Sequence, residues 1–105
     1  MKIEVISPGR INLIGEHTDY NGGYVLPCAL NLSINLYFEI NNKQSFVKTD
    51  LGYSMTFNIN DSFKKSSTHW ENYVYGVIEE LKKIKSDLNN FSCVIKSSLP
   101  SGAGI

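Results

Sequence analysis

The chain has 105 residues, with 10 basic and 10 acidic side chains, so its formal net charge is zero. A balanced charge gives no electrostatic attraction to nucleic acid or to anionic membranes. No apolar run approaches the ~20 residues that span a bilayer. The N-terminus has Glu4 and no long apolar core, so it does not match a signal peptide. We therefore expect one small domain in the cytoplasm, with neither nucleic acid nor membrane as a partner.

The first segments of the chain are predicted to be extended. Residues 1–7 place apolar side chains on one face, which predicts a first strand. The pair Asn21-Gly22 is a strong signal for a tight turn. An extended apolar stretch then runs over residues 24–29.

Three further strands are predicted in the middle of the chain. Apolar side chains occupy every second position over residues 32–38, which indicates a half-buried strand ending near residues 41–42. Two shorter strands are expected at 46–49 and 55–59, around a turn at 50–52.

A helix is predicted after Thr68. Thr68 is a candidate N-cap, and Glu71 three residues on would complete a capping box. Lysines at 82, 83 and 85 suit the C-terminal end of a helix dipole. Apolar side chains recur at helical spacing and predict a core-facing stripe, formed by Trp70, Tyr73, Val74, Val77, Ile78, Leu81 and Ile84.

A last strand is expected where Phe91, Cys93 and Ile95 alternate with polar residues. Four strands, a helix and a final strand indicate an α+β fold. The two cysteines, Cys28 and Cys93, are far apart in a chain without a secretory signal. Two reduced, buried residues are therefore favoured over a disulfide, and no Cys/His spacing suggests zinc.

Residues 8–23 contain the group of charged and hydrogen-bonding side chains that is most informative about function. Glycines keep the backbone open to a ligand, and polar side chains are crowded between them. Glu16, His17 and Asp19 together offer several hydrogen-bonding atoms, which suits a polyhydroxylated ligand such as a sugar. Arg10 offers a planar, permanently charged fork that suits phosphate. The residues alone leave open a surface arginine or a structural salt bridge for Arg10, and a turn or core histidine for His17. For Glu16 and Asp19 they leave open paired acids for proton transfer or carboxylates that cap a helix or a turn.

Residues 9–20 resemble the galactokinase signature, Gly-Arg-x-Asn-Leu-Ile-Gly-Glu-His-x-Asp-Tyr, and residues 23–30 continue the likeness. Galactokinases belong to the GHMP small-molecule kinases, so the resemblance implies the N-terminal part of the GHMP kinase fold. It implies that Arg10 lies beside the transferred phosphoryl group and the attacking sugar hydroxyl. It implies that Glu16, His17 and Asp19 bind the sugar.

The resemblance extends to the nucleotide site. It places the helix that carries Trp70 and Tyr73 near the adenine pocket, whereas the spacing alone favours two core aromatics. Residues 100–104 resemble the start of the family's glycine-rich loop, in which Gly102 and Gly104 would approach the phosphates of ATP. A plain turn is the alternative from the residues alone.

The resemblance covers only the beginning of the family's first domain. The loop serine that helps to hold Mg²⁺ and the aspartate assigned as catalytic base would both follow Ile105. We therefore expect residues 1–105 to be a partial N-terminal domain, without a metal ligand of its own and inactive alone. The longer enzyme to which the resemblance assigns these residues would phosphorylate galactose at its anomeric hydroxyl, using ATP and Mg²⁺.

Two alternatives stay open at this stage. A galactokinase-like sensor would bind galactose and ATP but signal through a protein partner. A related kinase would act on another sugar, such as N-acetylgalactosamine or arabinose. The signature barely separates these sugars, and the oligomeric state is not encoded in any motif.

Overall fold

The structure, a computed structural model, describes residues 2–15 and 19–102, with Asp19 described by its backbone alone. Five strands and one helix form the described fold, which confirms the predicted α+β class. A short 3-10 turn at Asp19–Asn21 lies between the first two strands. In chain order the elements are β1 (Lys2–Ile14), β2 (Leu26–Ile40), β3 (Ser45–Thr49), β4 (Ser54–Phe57), α1 (His69–Ile84) and β5 (Phe91–Ser97).

The five strands form one sheet in the order β1-β2-β5-β3-β4. Strands β1 and β2 are antiparallel, as are β2 and β5 and the short pair β3 and β4. Strands β3 and β5 are parallel, and the segment between them contains β4 and α1. The last strand of the chain therefore lies at the centre of the sheet, between the two hairpins.

The first hairpin is much longer than its sequence predicted. Strand β1 continues beyond residue 7 through the first half of the signature, and β2 joins two stretches that were predicted separately. Pro8 would be unfavourable in a central strand because it lacks an N–H, but β1 is an edge strand and tolerates it. Strand β5 pairs only with residues 34–40 of β2, so the outer part of the hairpin extends past the sheet as a two-stranded arm.

The hairpin changes register where the arm begins. Pro8 pairs with Ser33, but Arg10 pairs with Ala29, so residues 30–32 of β2 lie opposite Gly9 alone. Such bulges bend a hairpin and redirect its side chains, and they are common beside functional sites. At the far end of the arm, Gly22 has a φ of 76°, which agrees with the predicted tight turn.

The core lies between the sheet and one side of α1. Its buried apolar residues are Val47, Met55, Phe57, Ile59, Ile78 and Cys93. The ring of Phe57 meets Phe63, Tyr75 and Phe91 edge-on at centroid distances of 5.5–5.8 Å. Phe63 stacks on Tyr75 at 4.5 Å, so a residue outside the predicted helical stripe supplies much of this packing.

Four of the seven residues in the predicted core stripe of α1 are exposed, which corrects the sequence interpretation. Ile78 is buried and Trp70 and Val74 are partly buried, whereas Tyr73 is 79% exposed and Val77 61% exposed. Helical periodicity identifies which positions share a face, but it does not show how far a neighbouring element covers that face.

An apolar groove of about 540 Å³ runs between the exposed part of this stripe and the sheet. The helix contributes Tyr73, Val77 and Leu81, and the sheet contributes residues such as Leu36 and Ile95. Within the described residues, nothing fills this groove.

The predicted capping box at the start of α1 is wrong. Thr68 is the N-cap, but its side chain makes no capping hydrogen bond. Ser66 instead makes the side-chain hydrogen bonds at the helix start. Its hydroxyl accepts from the Thr68 N–H at 3.1 Å and donates to Glu71 Oε2 at 2.6 Å. Asn72 Oδ1 accepts from the Ser66 N–H at 2.8 Å, so the helix start is stabilised from two residues further upstream.

The two cysteines are both free, as predicted, but only one is buried. Cys93 lies in the core, and burial raises the pKa of its thiol. Cys28 lies exposed in the arm of the hairpin, where a buried residue was expected. Within the described part of the chain, no helix is both long and apolar enough to cross a bilayer.

Candidate functional site

Arg10 lies in β1 at the start of the hairpin arm, directly after the register change at Gly9. Its side chain is exposed, and among the described residues no carboxylate forms an ion pair with it. A structural salt bridge, the alternative left open by the sequence, is therefore not made to any described side chain. As far as the described side chains are concerned, the guanidinium is free to contact an anionic ligand.

The three predicted sugar ligands fall in the connection at the far end of β1. Glu16 and His17 lie outside the described residues. Asp19 begins the 3-10 turn, and only its backbone is described. Strand β1 ends at Ile14, so the chain places Arg10 and this connection at the same end of the hairpin.

The predicted phosphate-binding turn follows directly after β5. Strand β5 ends at Ser97, whose N–H donates to Asp50 Oδ2 at 3.1 Å. Gly102 lies in a turn with a φ of 72°, a conformation that residues with a side chain rarely adopt. Backbone N–H groups in such turns form anion-binding concavities. Gly104 lies outside the described residues.

A pair of serines anchors this turn to the hairpin. The Ser98 N–H donates to the Ser33 carbonyl at 3.0 Å, and the Ser33 N–H donates to Ser98 Oγ at 2.9 Å. Ser98 Oγ also lies 3.2 Å from the Ser33 carbonyl oxygen. These bonds continue the pairing of β2 with β5 by one residue, past the end of β5 at Ser97.

Gly9 and Leu99 bring the two segments that are predicted to bind ligands into contact. A Cβ at position 9 would lie 2.5 Å from Leu99 Cδ2 and 3.5 Å from the Leu32 carbonyl oxygen. Gly9 is buried although its neighbours in β1 are exposed. The sequence analysis treated Gly9 as one of the glycines that keep the backbone open to a ligand, and it missed Leu99. The only signal was a leucine directly before Pro100, which is too common to identify a contact 90 positions away.

The two aromatic candidates on α1 lie in different surroundings. Trp70 is half-buried and its ring is 6.4 Å from that of Tyr53, so it packs at the margin of the core. Tyr73 is exposed and lines the apolar groove. No described contact joins either ring to Arg10 or to the turn at Gly102, so their assignment to an adenine pocket remains a prediction.

The described side chains offer no ready-made site for a metal ion. Among them, no three histidine, cysteine or carboxylate groups come together as potential ligands. Carboxylate oxygens are the protein ligands that Mg²⁺ prefers, together with phosphate oxygens and water.

Comparison with solved structures identifies the fold. The crystal structure of Lactococcus lactis galactokinase complexed with galactose matches with a TM-score of 0.82 and 36% identity, over 95% of this chain. Methanococcus jannaschii mevalonate kinase matches with a TM-score of 0.74 over 99% of the chain, and at 17% identity this likeness shows the fold alone. The chain has the α+β fold of the N-terminal part of a GHMP kinase.

Sequence comparison identifies galactokinases as proteins similar to this chain. A family model described as the galactokinase galactose-binding signature matches residues 3–38. The galactokinase of Clostridium acetobutylicum is 38% identical over 104 residues, and that of Thermosipho africanus is 37% identical over 103 residues. These alignments cover 94% and 98% of this chain. The resemblance to the N-terminal part of galactokinases is thereby confirmed.

The chain spans only part of the proteins it matches. It covers 27% of the Clostridium relative, 28% of the Thermosipho relative and 27% of the Lactococcus crystal structure.

Proposed function

We propose that this chain is the N-terminal segment of a galactokinase, which transfers the terminal phosphoryl group of ATP to the anomeric hydroxyl of galactose in the cytoplasm. The longer protein that contains the chain is called the parent enzyme below. The observation that carries the proposal is the match of residues 3–38 to a galactose-binding signature, on a hairpin whose arm presents Arg10 to solvent.

The position of Arg10 supports a role at the reacting phosphoryl group. Its strand also contains Gly9, against which Leu99 packs three residues before Gly102. Arg10 therefore lies in a strand that runs into the proposed sugar-binding connection at one end and contacts the segment before the proposed phosphate turn through Gly9. A positive charge at this position suits a site where the two substrates meet. Phosphoryl transfer requires positioning and charge stabilisation more than covalent help, and an arginine always carries its charge.

Glu16, His17 and Asp19 are assigned to galactose. Sugar hydroxyls donate hydrogen bonds to carboxylates, and such charge-assisted bonds are stronger than those between neutral groups. Two carboxylates and an imidazole within four positions give a dense set of acceptors and donors for several hydroxyls. The galactose complex of the Lactococcus relative, whose sequence is 36% identical, supports this choice of sugar.

The glycine-rich turn fits the phosphates of ATP. Gly102 already has the positive φ that an anion-binding turn requires, and the bonds between Ser98 and Ser33 fix the start of the turn. Mg²⁺ would neutralise charge on the phosphates. The family resemblance assigns its protein ligand to a serine of the glycine-rich loop that would follow Ile105 in the parent enzyme.

A coupled assay of galactose-dependent ADP release by the parent enzyme tests the proposal. We expect release with galactose but not with methyl β-galactoside, because its anomeric oxygen is blocked and cannot attack. Equal release with both sugars would place the reaction at another hydroxyl.

Galactose binding without ADP release would support a sensor instead. A preference for N-acetylgalactosamine or arabinose in the same assay would assign the parent enzyme to a related sugar. Either result would overturn the proposed function.

A further inference from the structure

Gly9 leaves room for the side chain of Leu99. Its φ is not among the positive values of the described glycines, and a Cβ at this position would meet the terminal methyl of Leu99, Cδ2. A Cβ at 2.5 Å from another carbon is far inside van der Waals contact, so one of the two groups would have to move.

Leu99 is itself held in place by its neighbours in the chain. Its N–H donates to Ser97 Oγ at 3.1 Å. The preceding residue, Ser98, exchanges backbone and hydroxyl hydrogen bonds with Ser33, so the chain cannot easily shift along the hairpin. Leu99 is half-buried although the residues on either side of it are exposed.

The contact lies where the hairpin bends. Residues 30–32 bulge opposite Gly9, and Leu30 Cδ1 would lie 3.7 Å from a Cβ at position 9. Leu99 therefore packs against the bend from which the Arg10 arm extends. Leu99 also directly precedes the glycine-rich turn in the chain.

We propose that Leu99 is a positioning residue that couples the phosphate-binding turn to the sugar-binding hairpin. Packed against Gly9, it fixes the turn at residues 100–102 relative to the strand that carries Arg10. The inference rests on the proposed function, because it takes this turn as the phosphate site. A displacement of about 1 Å between reacting groups costs up to ~10²-fold in rate, so this contact sets the geometry of transfer without touching a substrate.

A double-mutant cycle in the parent enzyme tests the coupling. Gly9→Ala adds a Cβ against Leu99 Cδ2, and Leu99→Ala removes that Cδ2. We expect each single change to lower kcat and raise KM for ATP, each by about 10-fold or more, and to leave KM for galactose within about twofold. In the Leu99→Ala background, Gly9→Ala should have little further effect, because its collision partner is gone. Leu99→Met, which keeps the volume, should retain most of the activity.

Nucleotide affinity by calorimetry and thermal melting should be measured on every variant. If Gly9→Ala does not fold, Leu99→Ala and Ser98→Ala decide the question through nucleotide affinity. A loss of melting temperature with unchanged nucleotide affinity and kcat would show a merely structural contact and overturn the inference. An equal cost of Gly9→Ala in both backgrounds would also overturn it.

A different result would refute the proposed function. A wild-type parent enzyme that does not phosphorylate galactose would refute that function. The effect of Leu99→Ala on nucleotide affinity would still decide whether the turn is positioned by this contact.

Discussion

Ser98 and Ser33 lie 65 positions apart and are joined by hydrogen bonds of 2.9 and 3.0 Å, which attach the segment after β5 to the second strand of the hairpin. Together with the contact of Leu99 with Gly9, this attachment places the start of the glycine-rich turn beside the strand that carries Arg10. Two short segments that are predicted to bind ligands, distant in sequence, therefore belong to one region of the fold.

Arg10→Ala in the parent enzyme should reduce turnover far more than it weakens galactose binding. A charge beside the transferred phosphoryl group acts mainly in the transition state. We expect kcat to fall by about 10²-fold or more, with a change of less than about fivefold in KM for galactose. Arg10→Lys should recover only part of the loss, because an ammonium lacks the planar fork. A variant with normal kcat and a raised KM for galactose would refute this role.

Glu16→Gln and Asp19→Asn should each weaken galactose binding in the parent enzyme. Each replaces a carboxylate acceptor by a neutral amide of nearly the same shape, and the lost charge-assisted bond is worth roughly 1.5–3 kcal/mol. That energy corresponds to a loss of about 10-fold to 150-fold in affinity by calorimetry. ATP affinity should stay within about twofold. Galactose binding that is unchanged in both variants would show that these carboxylates are structural.

Residues 1–105 alone should have no kinase activity. The catalytic base and the metal ligand are assigned to the part of the parent enzyme beyond this chain, and their loss should cost at least ~10³-fold. Galactose-dependent ADP production by the purified 105-residue chain should therefore match a no-enzyme control. Production well above that control would mean that the chain contains a complete active site.

The 105-residue chain should self-associate through the exposed apolar side of α1. Val77 is 61% exposed and Ile84 is 84% exposed, beside a groove lined by apolar side chains of the sheet. In size-exclusion chromatography with light scattering, the chain should exceed its monomer mass of 11.8 kDa. The double variant Val77→Lys with Ile84→Lys should shift it towards monomer.

A matched control separates the loss of apolar surface from the gain of charge. Glu79→Gln with Glu80→Gln changes the net charge by the same +2 but leaves the apolar side of the helix intact, and should not dissociate the assembly. The salt bridges that it removes, to Lys82 and Lys83, lie on the surface and contribute little to stability. A clean monomer with a cooperative melt for the unmodified chain would contradict the prediction.

The two thiols of the 105-residue chain should react at very different rates. Cys28 is exposed, whereas Cys93 is 3% exposed and its pKa is raised by burial, which lowers its thiolate fraction near neutral pH. A disulfide reagent at pH 8 should titrate one thiol quickly and the second only after guanidinium is added. Cys28→Ser should abolish the fast phase. Two equal rates in the native protein would mean that β5 is not packed in the core.

The sequence predicted local features of this fold well. Alternation over residues 32–38 and around Cys93 identified two strands that pair in the sheet, and helical spacing identified α1. The order of strands and helix followed from these local patterns. Each depends on side chains within a few positions of one another, which is why periodicity detects them.

The features that the sequence did not predict depend on distant or competing partners. The contact of Gly9 with Leu99 crosses 90 positions and leaves no trace in either segment. Thr68 and Glu71 match a capping box, but Ser66 competes successfully for Glu71. The exposure of Tyr73 depends on what covers the helix, which no local pattern records.

For the candidate site, too, the sequence predicted local features and missed those that depend on distant residues. The signature run predicted which residues form the site, because a long match of fixed positions is specific, and that assignment stays a prediction. Their arrangement was not predicted, because it depends on the register change at Gly9 and on the bonds between Ser98 and Ser33. Neither feature has a distinctive sequence pattern.

The most direct test of the account replaces the matching 27% of Lactococcus lactis galactokinase with this chain and measures galactose 1-phosphate by ³¹P NMR. The account predicts that the chimera forms this product from galactose and ATP, and that Arg10→Ala in the same chimera nearly abolishes it. A chimera that melts cooperatively and binds ATP, yet forms no galactose 1-phosphate, would contradict the account.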